Sequence, residues 1–92
     1  MKSLTMFYLN DCGYCSKVFR ALEELKRENP AYGEVPIEMI EESEHPDVAD
    51  RYDYYAVPSF YDGESKLFEA RLFMSYEAIR DAVQRVLNYA LV

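Results

Sequence analysis

Residues 4–15 read LTMFYLNDCGYC, and this stretch decides the fold. The run at 4–9 is apolar, aromatic and β-branched, which is typical of a buried strand. Cys12 and Cys15 follow it, and an amphipathic helical pattern begins there. Two cysteines at this spacing at the start of a helix lie one turn apart, with Cα atoms about 5.5 Å from each other, which a disulfide accepts. The sequence therefore predicts a strand, a dithiol and a helix in direct succession.

The start of a helix also favours a reactive sulfur. The first turn has free N–H groups and lies at the positive end of the helix dipole, and both stabilise a thiolate relative to a thiol. Cys12 is the cysteine nearest to those N–H groups, so we expect its pKa to lie below the ~8.5 of a free thiol and its sulfur to act as the nucleophile. Cys15 lies one turn further in and would resolve the mixed disulfide that Cys12 forms.

The rest of the chain alternates between strand and helix patterns. The predicted elements are a helix at 15–29, a strand at 36–40, a short helix at 46–52, two hairpin strands at 57–61 and 66–69 around Asp62-Gly63, and a helix at 75–90. The resulting order is β-α-β-α-β-β-α in a single domain, residues 1–92. A right-handed crossover makes the first two strands parallel, and the hairpin adds an antiparallel pair. We therefore expect an α/β fold in which helices flank a mixed four-stranded sheet.

Composition limits the function classes. A chain of 92 residues with 50% hydrophobic residues is one globular domain rather than a disordered segment. Its net charge of -7 argues against a nucleic acid or an anionic membrane surface as partner, because either would favour a basic face. The longest apolar run is far shorter than the ~20 residues of a membrane span.

The number and position of the cysteines, together with the N-terminal residues, indicate the cellular compartment of the protein. Met1-Lys2-Ser3 leads directly into the first strand, and no signal peptide is visible before it. Both cysteines belong to one motif, unlike those of a disulfide-stapled secreted domain. We expect a cytoplasmic protein, the alternative being an exported protein without its leader, and we expect a monomer.

Residues 45–60, HPDVADRYDYYAVPSF, carry a family resemblance together with the cysteine motif. They resemble the helix and proline loop of the thioredoxin-like fold, glutaredoxin branch included, and the resemblance covers nearly the whole chain. It implies that Pro58 is cis and lies beside Cys12 and Cys15. It also implies that the backbone of Val57 docks an extended substrate. Tyr14 would shape access to the sulfurs or stack on a substrate, or else be a solvent-facing aromatic residue.

The chain departs from both branches of that fold. Asp11 stands where thioredoxins have Trp, and Met6 stands where they have a buried acid. Gly13 replaces the proline of the usual glutaredoxin motif. The segment 70–74, Ala-Arg-Leu-Phe-Met, has no Gly pair of the kind that helps to hold glutathione in glutaredoxins. The resemblance therefore implies a glutaredoxin-like small thiol oxidoreductase without fixing its electron donor.

The leading functional hypothesis is an enzyme that exchanges its dithiol for the disulfide of a protein or small-thiol substrate. A reductase or glutathione would supply electrons, no cofactor beyond the Cys12–Cys15 disulfide is expected, and glutathione binding is doubtful. The alternative is a binding module that holds a metal or an iron–sulfur cluster through the motif cysteines, and a third hypothesis is a redox-inert interaction domain. A zinc site would need four ligands, and His45 is the only other strong soft donor, so no metal site is predicted.

Three further groups of side chains lie outside the motif. The acidic run at 41–53 is expected to be a solvated face. Tyr52, Tyr54 and Tyr55 would lie at the core edge and surface, or form an aromatic rim near the active site. Lys17 and Arg20 would favour the thiolate, or only balance the acids of their own helix.

Overall fold

Eight elements follow one another along the chain in the computed structural model, which describes all 92 residues. They are β1 (Leu4–Tyr8), α1 (Gly13–Glu28), a 3-10 helix (Pro30–Glu34), β2 (Ile37–Glu41), α2 (Pro46–Ala49), β3 (Ser59–Asp62), β4 (Ser65–Glu69) and α3 (Tyr76–Leu91). The predicted order β-α-β-α-β-β-α is confirmed, with the 3-10 helix as an addition.

The hairpin differs from its predicted bounds. Strand β3 begins at Ser59 rather than at residue 57, since Pro58 has no N–H to donate to a ladder. Asp62 pairs with Ser65 and belongs to the strand, so the turn is made by the next two residues. Gly63 begins that turn with a φ of 58°, a left-handed conformation that glycine adopts without a steric penalty. Helix α2 is also shorter than predicted and ends at Ala49.

The sheet brings three chain segments to one edge. Its strand order is β2-β1-β3-β4, in which β1 pairs parallel with β2 and antiparallel with β3. Tyr8 at the end of β1 is level with Glu41 at the end of β2, and Phe7 is level with Ser59 at the start of β3. The segment that follows β1 and the segment that precedes β3 are therefore neighbours, although 45 residues of sequence separate Cys12 from Val57. The predicted mixed four-stranded sheet is confirmed.

Helices α1 and α3 cover one face of this sheet. Leu4, Met6 and Phe60 point from the strands into a core that includes Leu22 and Leu25 of α1. The apolar face of α3 closes the same core through Ile79, Val83, Val86, Leu87 and Ala90. Helical spacing placed these residues on one side of each helix, and their burial stabilises the fold.

An aromatic cluster covers the other face. Phe7 is fully buried, and its ring centroid lies 4.7 Å from Tyr52, 5.0 Å from Tyr54 and 5.9 Å from Tyr61. Val57 packs against the same cluster. Phe7 thus holds the 52–57 loop against the sheet, because the two tyrosines of that loop rest on its ring.

Glu41 contradicts the expectation that the whole acidic run is solvated. It is only 6% exposed and lies at the carboxyl end of β2. One carboxylate oxygen accepts hydrogen bonds from the Ser43 N–H at 2.7 Å and the Ser43 hydroxyl at 2.6 Å, while the other accepts from the Asn10 N–H at 3.3 Å. These donors, with the Ser43 hydroxyl foremost, lower the pKa of the Glu41 carboxyl. Local donors therefore make the burial of this charge possible.

No helix of the structure combines the length and the apolar character that crossing a membrane requires.

Replacing Phe7 with Ala should lower the free energy of unfolding by about 3–5 kcal/mol, because it removes a buried ring on which three tyrosines pack. Urea denaturation followed by circular dichroism measures the change. Leu72→Ala is the control, since its side chain is 78% exposed and should change stability by less than about 0.5 kcal/mol. A loss below about 1 kcal/mol for Phe7→Ala would contradict the packing described here.

The depressed pKa of Glu41 should make stability depend on pH. The carboxylate contributes stability above the ordinary Glu pKa of about 4.3, and that contribution is lost as pH falls through the lower folded-state value. Glu41→Gln should therefore reduce stability at pH 7 and flatten its decline between pH 5 and 3, as measured by thermal melts. Glu38→Gln, on the exposed side of the same strand, should behave as wild type. Parallel curves for Glu41→Gln and wild type would refute the assignment.

Candidate active site

Cys12 caps the N-terminus of α1 with its sulfur. Its backbone is extended, and its Sγ accepts a hydrogen bond from the N–H of Cys15 at 3.1 Å. The helix begins at Gly13, two residues earlier than the sequence pattern predicted, because the capping sulfur satisfies an N–H of the first turn. Cys12 is half-buried, which makes it the more exposed of the two cysteines. The predicted location of Cys12, at the start of a helix, is what the structure shows.

Cys15 is in a different environment from Cys12. It is 1% exposed and faces the core from the first turn of α1, and both cysteines are free thiols. Burial first, and then the neighbouring Cys12 sulfur, raise the pKa of the Cys15 thiol to about 12. Cys15 therefore stays protonated at neutral pH. A nucleophile at this position would have to lose its proton during the reaction.

The loop before β3 contacts Cys12. The Val57–Pro58 peptide bond is cis, and Pro58 is buried. The carbonyl oxygen of Val57 lies 3.9 Å from the Cys12 Sγ, which donates to it. The N–H of Val57 has no partner within the chain. The carbonyl of Pro58 accepts from the Ala70 N–H at 3.0 Å, which anchors this loop to the end of β4.

Tyr14 joins the cysteine motif to a segment that the sequence did not place at the site. Its hydroxyl accepts a hydrogen bond from the N–H of Phe73 at 2.7 Å, across 59 residues of sequence. Phe73 has a φ of 65°, an uncommon left-handed conformation for a bulky residue, and is 94% exposed. Its neighbour Leu72 is 78% exposed. Tyr14 is therefore a half-buried link between α1 and the β4–α3 connection rather than a free aromatic side chain.

Glu41 is a second residue near the site that sequence reasoning missed. Its bond to the Asn10 N–H fixes the backbone two residues before Cys12. The run of acids around Glu41 hid this role, because nothing in the sequence distinguishes the buried carboxylate from its exposed neighbours. The only available hint was its position at the end of a predicted strand.

The two basic residues of α1 lie differently from each other. The Lys17 ammonium is 5.2 Å from the centroid of the Tyr14 ring, next to the motif. The Arg20 guanidinium lies over the Tyr76 ring at 4.1 Å and pairs with Glu24 at 3.9 Å. Arg20 thus connects α1 to α3 and balances an acid of its own helix. No group of three or more His, Cys, Asp or Glu side chains converges in a way that could hold a metal ion.

Together these contacts place one accessible sulfur, one buried thiol and one unpaired backbone N–H at the same edge of the sheet. The Cys12 Sγ accepts from the Cys15 N–H and donates to the Val57 carbonyl, and Cys12 is the more exposed of the two cysteines. A second sulfur one turn away lies within the distance range of a disulfide. The arrangement can form and break a disulfide between Cys12 and Cys15.

Comparison with known proteins identifies the family. The family described as glutathione S-transferase, N-terminal domain, matches residues 6–81. Thioredoxin 1 from the thermophilic eubacterium Thermosipho africanus is 19% identical, with a TM-score of 0.58 over 97% of each chain. The oxidised thioredoxin from Plasmodium falciparum is also 19% identical, with a TM-score of 0.61 over 96% of this chain and 80% of that one. No curated protein matches the chain significantly.

The structural likenesses establish the fold, which is the thioredoxin-like fold that the sequence resemblance implied. The family match extends over most of the chain and includes both cysteines and Pro58. The protein therefore belongs to the family described as glutathione S-transferase, N-terminal domain, within the thioredoxin-like superfamily.

Proposed function

We propose that the protein is a thiol–disulfide oxidoreductase in which Cys12 attacks and Cys15 resolves. The observation that carries the proposal is the capping geometry, in which the Cys12 Sγ receives the N–H of Cys15 at 3.1 Å and lies beside the Val57 carbonyl. Such a hydrogen bond and the positive end of α1 stabilise a thiolate. The greater exposure of Cys12 makes it the sulfur that a bulky disulfide can reach.

The reaction transfers two electrons to the substrate. The Cys12 thiolate attacks one sulfur of the substrate disulfide, forms a mixed disulfide and expels the other substrate sulfur as a thiolate. Cys15 then loses its proton and attacks the Cys12 Sγ, which forms the Cys12–Cys15 disulfide and releases the second substrate sulfur. The protons of the two protein thiols end on the two substrate sulfurs. An external dithiol reductase or glutathione would return the chain to its reduced state, and oxidation of a substrate is the reverse sequence.

Val57 would align an extended substrate with Cys12. Its N–H is unpaired and its carbonyl contacts the attacking sulfur only weakly, at 3.9 Å. A substrate backbone that pairs with these two groups would add a short strand beside the cysteine. Tyr14 and the exposed Leu72 and Phe73 would bound the same surface on the other side.

The assignment of the two cysteines predicts different labelling and trapping. At pH 7, iodoacetamide should modify Cys12 well before Cys15, since Cys15 is buried and protonated. Cys15→Ser should accumulate mixed disulfides with a substrate, because no resolving sulfur remains. Mass spectrometry of the alkylated protein and non-reducing gels of the trapped adducts measure both effects.

Cys12→Ser is the matched control and should trap little substrate, since Cys15 is inaccessible. Circular dichroism should show that both variants remain folded. Faster alkylation of Cys15, or stronger trapping by Cys12→Ser, would reverse the assignment. If the folded wild-type protein shows no exchange activity with any of several disulfide substrates, the proposed function is wrong.

Glutathione is proposed to be a weak ligand, although the description of the matching family names it. The segment after β4 would need free backbone N–H groups and close approach to hold a glutathione carboxylate. Here the Ala70 N–H bonds to Pro58, the Arg71 N–H bonds to the Met74 sulfur at 3.4 Å, and the Phe73 N–H bonds to Tyr14. The Ala and Arg side chains also occupy space that a Gly pair would leave open.

Isothermal titration of the reduced protein with glutathione should therefore give a dissociation constant above roughly 1 mM. Tyr14→Phe frees the Phe73 N–H without removing the ring, and it should tighten binding if the blocked donors are the cause. Efficient reduction of a mixed-disulfide substrate by glutathione and its reductase would contradict the prediction. In that case glutathione would be the electron donor.

A further inference from the structure

A cavity of about 350 Å³ lies between α2 and the loop that leads to Pro58. Its polar lining includes the carboxylates of Glu42 and Asp50, and its walls include the rings of Tyr52, Tyr54 and Tyr55. The proposed exchange reaction does not use any of these side chains. Carboxylates and aromatic faces around one concave space form an environment suited to a cation.

The negative charge in this cavity has no counter-charge in the chain. The four ion pairs of the structure involve the acids Glu24, Glu28 and Glu69, and neither Glu42 nor Asp50 takes part in one. No Lys, Arg or His lines the cavity. The Glu42 carboxylate accepts one hydrogen bond, from the Tyr54 hydroxyl at 2.7 Å. Burial, followed by this bond, raises the pKa of Tyr54, so its hydroxyl remains protonated and donates to the Glu42 carboxylate.

The aromatic walls are held in place from behind. Tyr54 stacks on Phe7 at an interplanar angle of 23°, and Tyr52 packs against both Phe7 and Tyr61. Tyr55 is anchored by its backbone, whose N–H donates to the Glu69 carboxylate at 2.5 Å, while its side chain is 92% exposed. Both faces of the Tyr55 ring are therefore open to a ligand. The rings of Tyr52 and Tyr54 are fixed before binding, so they lose little conformational freedom when a ligand arrives.

The cavity and the thiol site share one loop. Tyr55 lines the cavity and precedes Val57 by two residues in the same loop. The Val57 carbonyl lies 3.9 Å from the Cys12 Sγ, and its N–H is unpaired. A substrate segment that lies along Val57 with its cysteine at Cys12 would therefore place a side chain a few residues away over the cavity.

We propose that this cavity is a specificity subsite that binds the positively charged side chain, Arg or Lys, of a protein substrate within a few residues of its reactive cysteine. The inference rests on the proposed thiol exchange and adds the substrate class to it. The net charge of -7 supports it, because an acidic protein attracts basic partners before contact and the uncompensated carboxylates then orient them.

Two matched peptides test the subsite. Each has a single cysteine in a disulfide with β-mercaptoethanol, and one has Arg two residues from that cysteine where the other has Gln. The reduced protein should reduce the disulfide of the Arg peptide with a kcat/KM about fivefold higher than that for the Gln peptide. This is the difference expected when an aromatic ring and a carboxylate hold a cation at a partly exposed site. Asp50→Asn and Tyr55→Leu should each reduce this preference and leave the rate with the Gln peptide unchanged.

Asp47→Asn is the control for overall charge. It removes the same charge from α2 at an exposed position that does not line the cavity, so the Arg preference should persist. Equal rates for the two peptides, or an equal loss of preference in Asp47→Asn and Asp50→Asn, would overturn the subsite while leaving the exchange reaction intact.

A binding measurement separates the subsite from the exchange reaction. The same two peptides with Ser in place of cysteine are titrated into the protein labelled with ¹⁵N. The Arg peptide should shift the amide resonances of residues 52–55 in wild type and not in Asp50→Asn. If the protein reduces neither peptide disulfide, the proposed function fails. The resonance shifts still decide the subsite in that case: their presence supports it, and their absence refutes it.

Discussion

Strand β1 is buried on both faces, with Leu4 and Met6 against the helices and Phe7 against the tyrosine cluster. It also pairs on both edges, with β2 on one side and β3 on the other. A shift of one residue would exchange the faces of Met6 and Phe7, so the register of β1 is strongly fixed. Because the chain leaves β1 at one defined point, the position of Cys12 is also defined. The loop that precedes β3 ends beside this cysteine, at Val57.

The two thiols of the motif differ in depth and in hydrogen bonding. Cys12 and Cys15 are three residues apart on one helix, yet one caps the helix at the surface and the other faces the core. Burial keeps the proton on Cys15, whereas Cys12 receives a backbone N–H. The asymmetry that an exchange reaction needs therefore arises from the orientation of one helix turn against the sheet.

The negative charge of the chain is distributed unevenly, and this distribution connects the fold to the proposed specificity. Arg80 pairs with Glu24 and Glu28 between the two long helices, and Lys66 pairs with Glu69 on the edge strand. Glu41 is satisfied by local N–H and hydroxyl donors. Glu42 and Asp50, which line the cavity, take part in no ion pair. Uncompensated charge therefore accumulates next to the loop that would receive a substrate.

The sequence by itself determined the order of the elements, the faces of the helices and the place of the two cysteines at the start of a helix, because these depend on residues at most four positions apart. The family resemblance, and not periodicity, predicted that Pro58 lies beside the cysteines. Only the tertiary structure decided that Glu41 is buried, that Tyr14 binds the Phe73 N–H, and that tyrosines and acids enclose a cavity. Each of these depends on how distant segments pack together, and no local pattern encodes that packing.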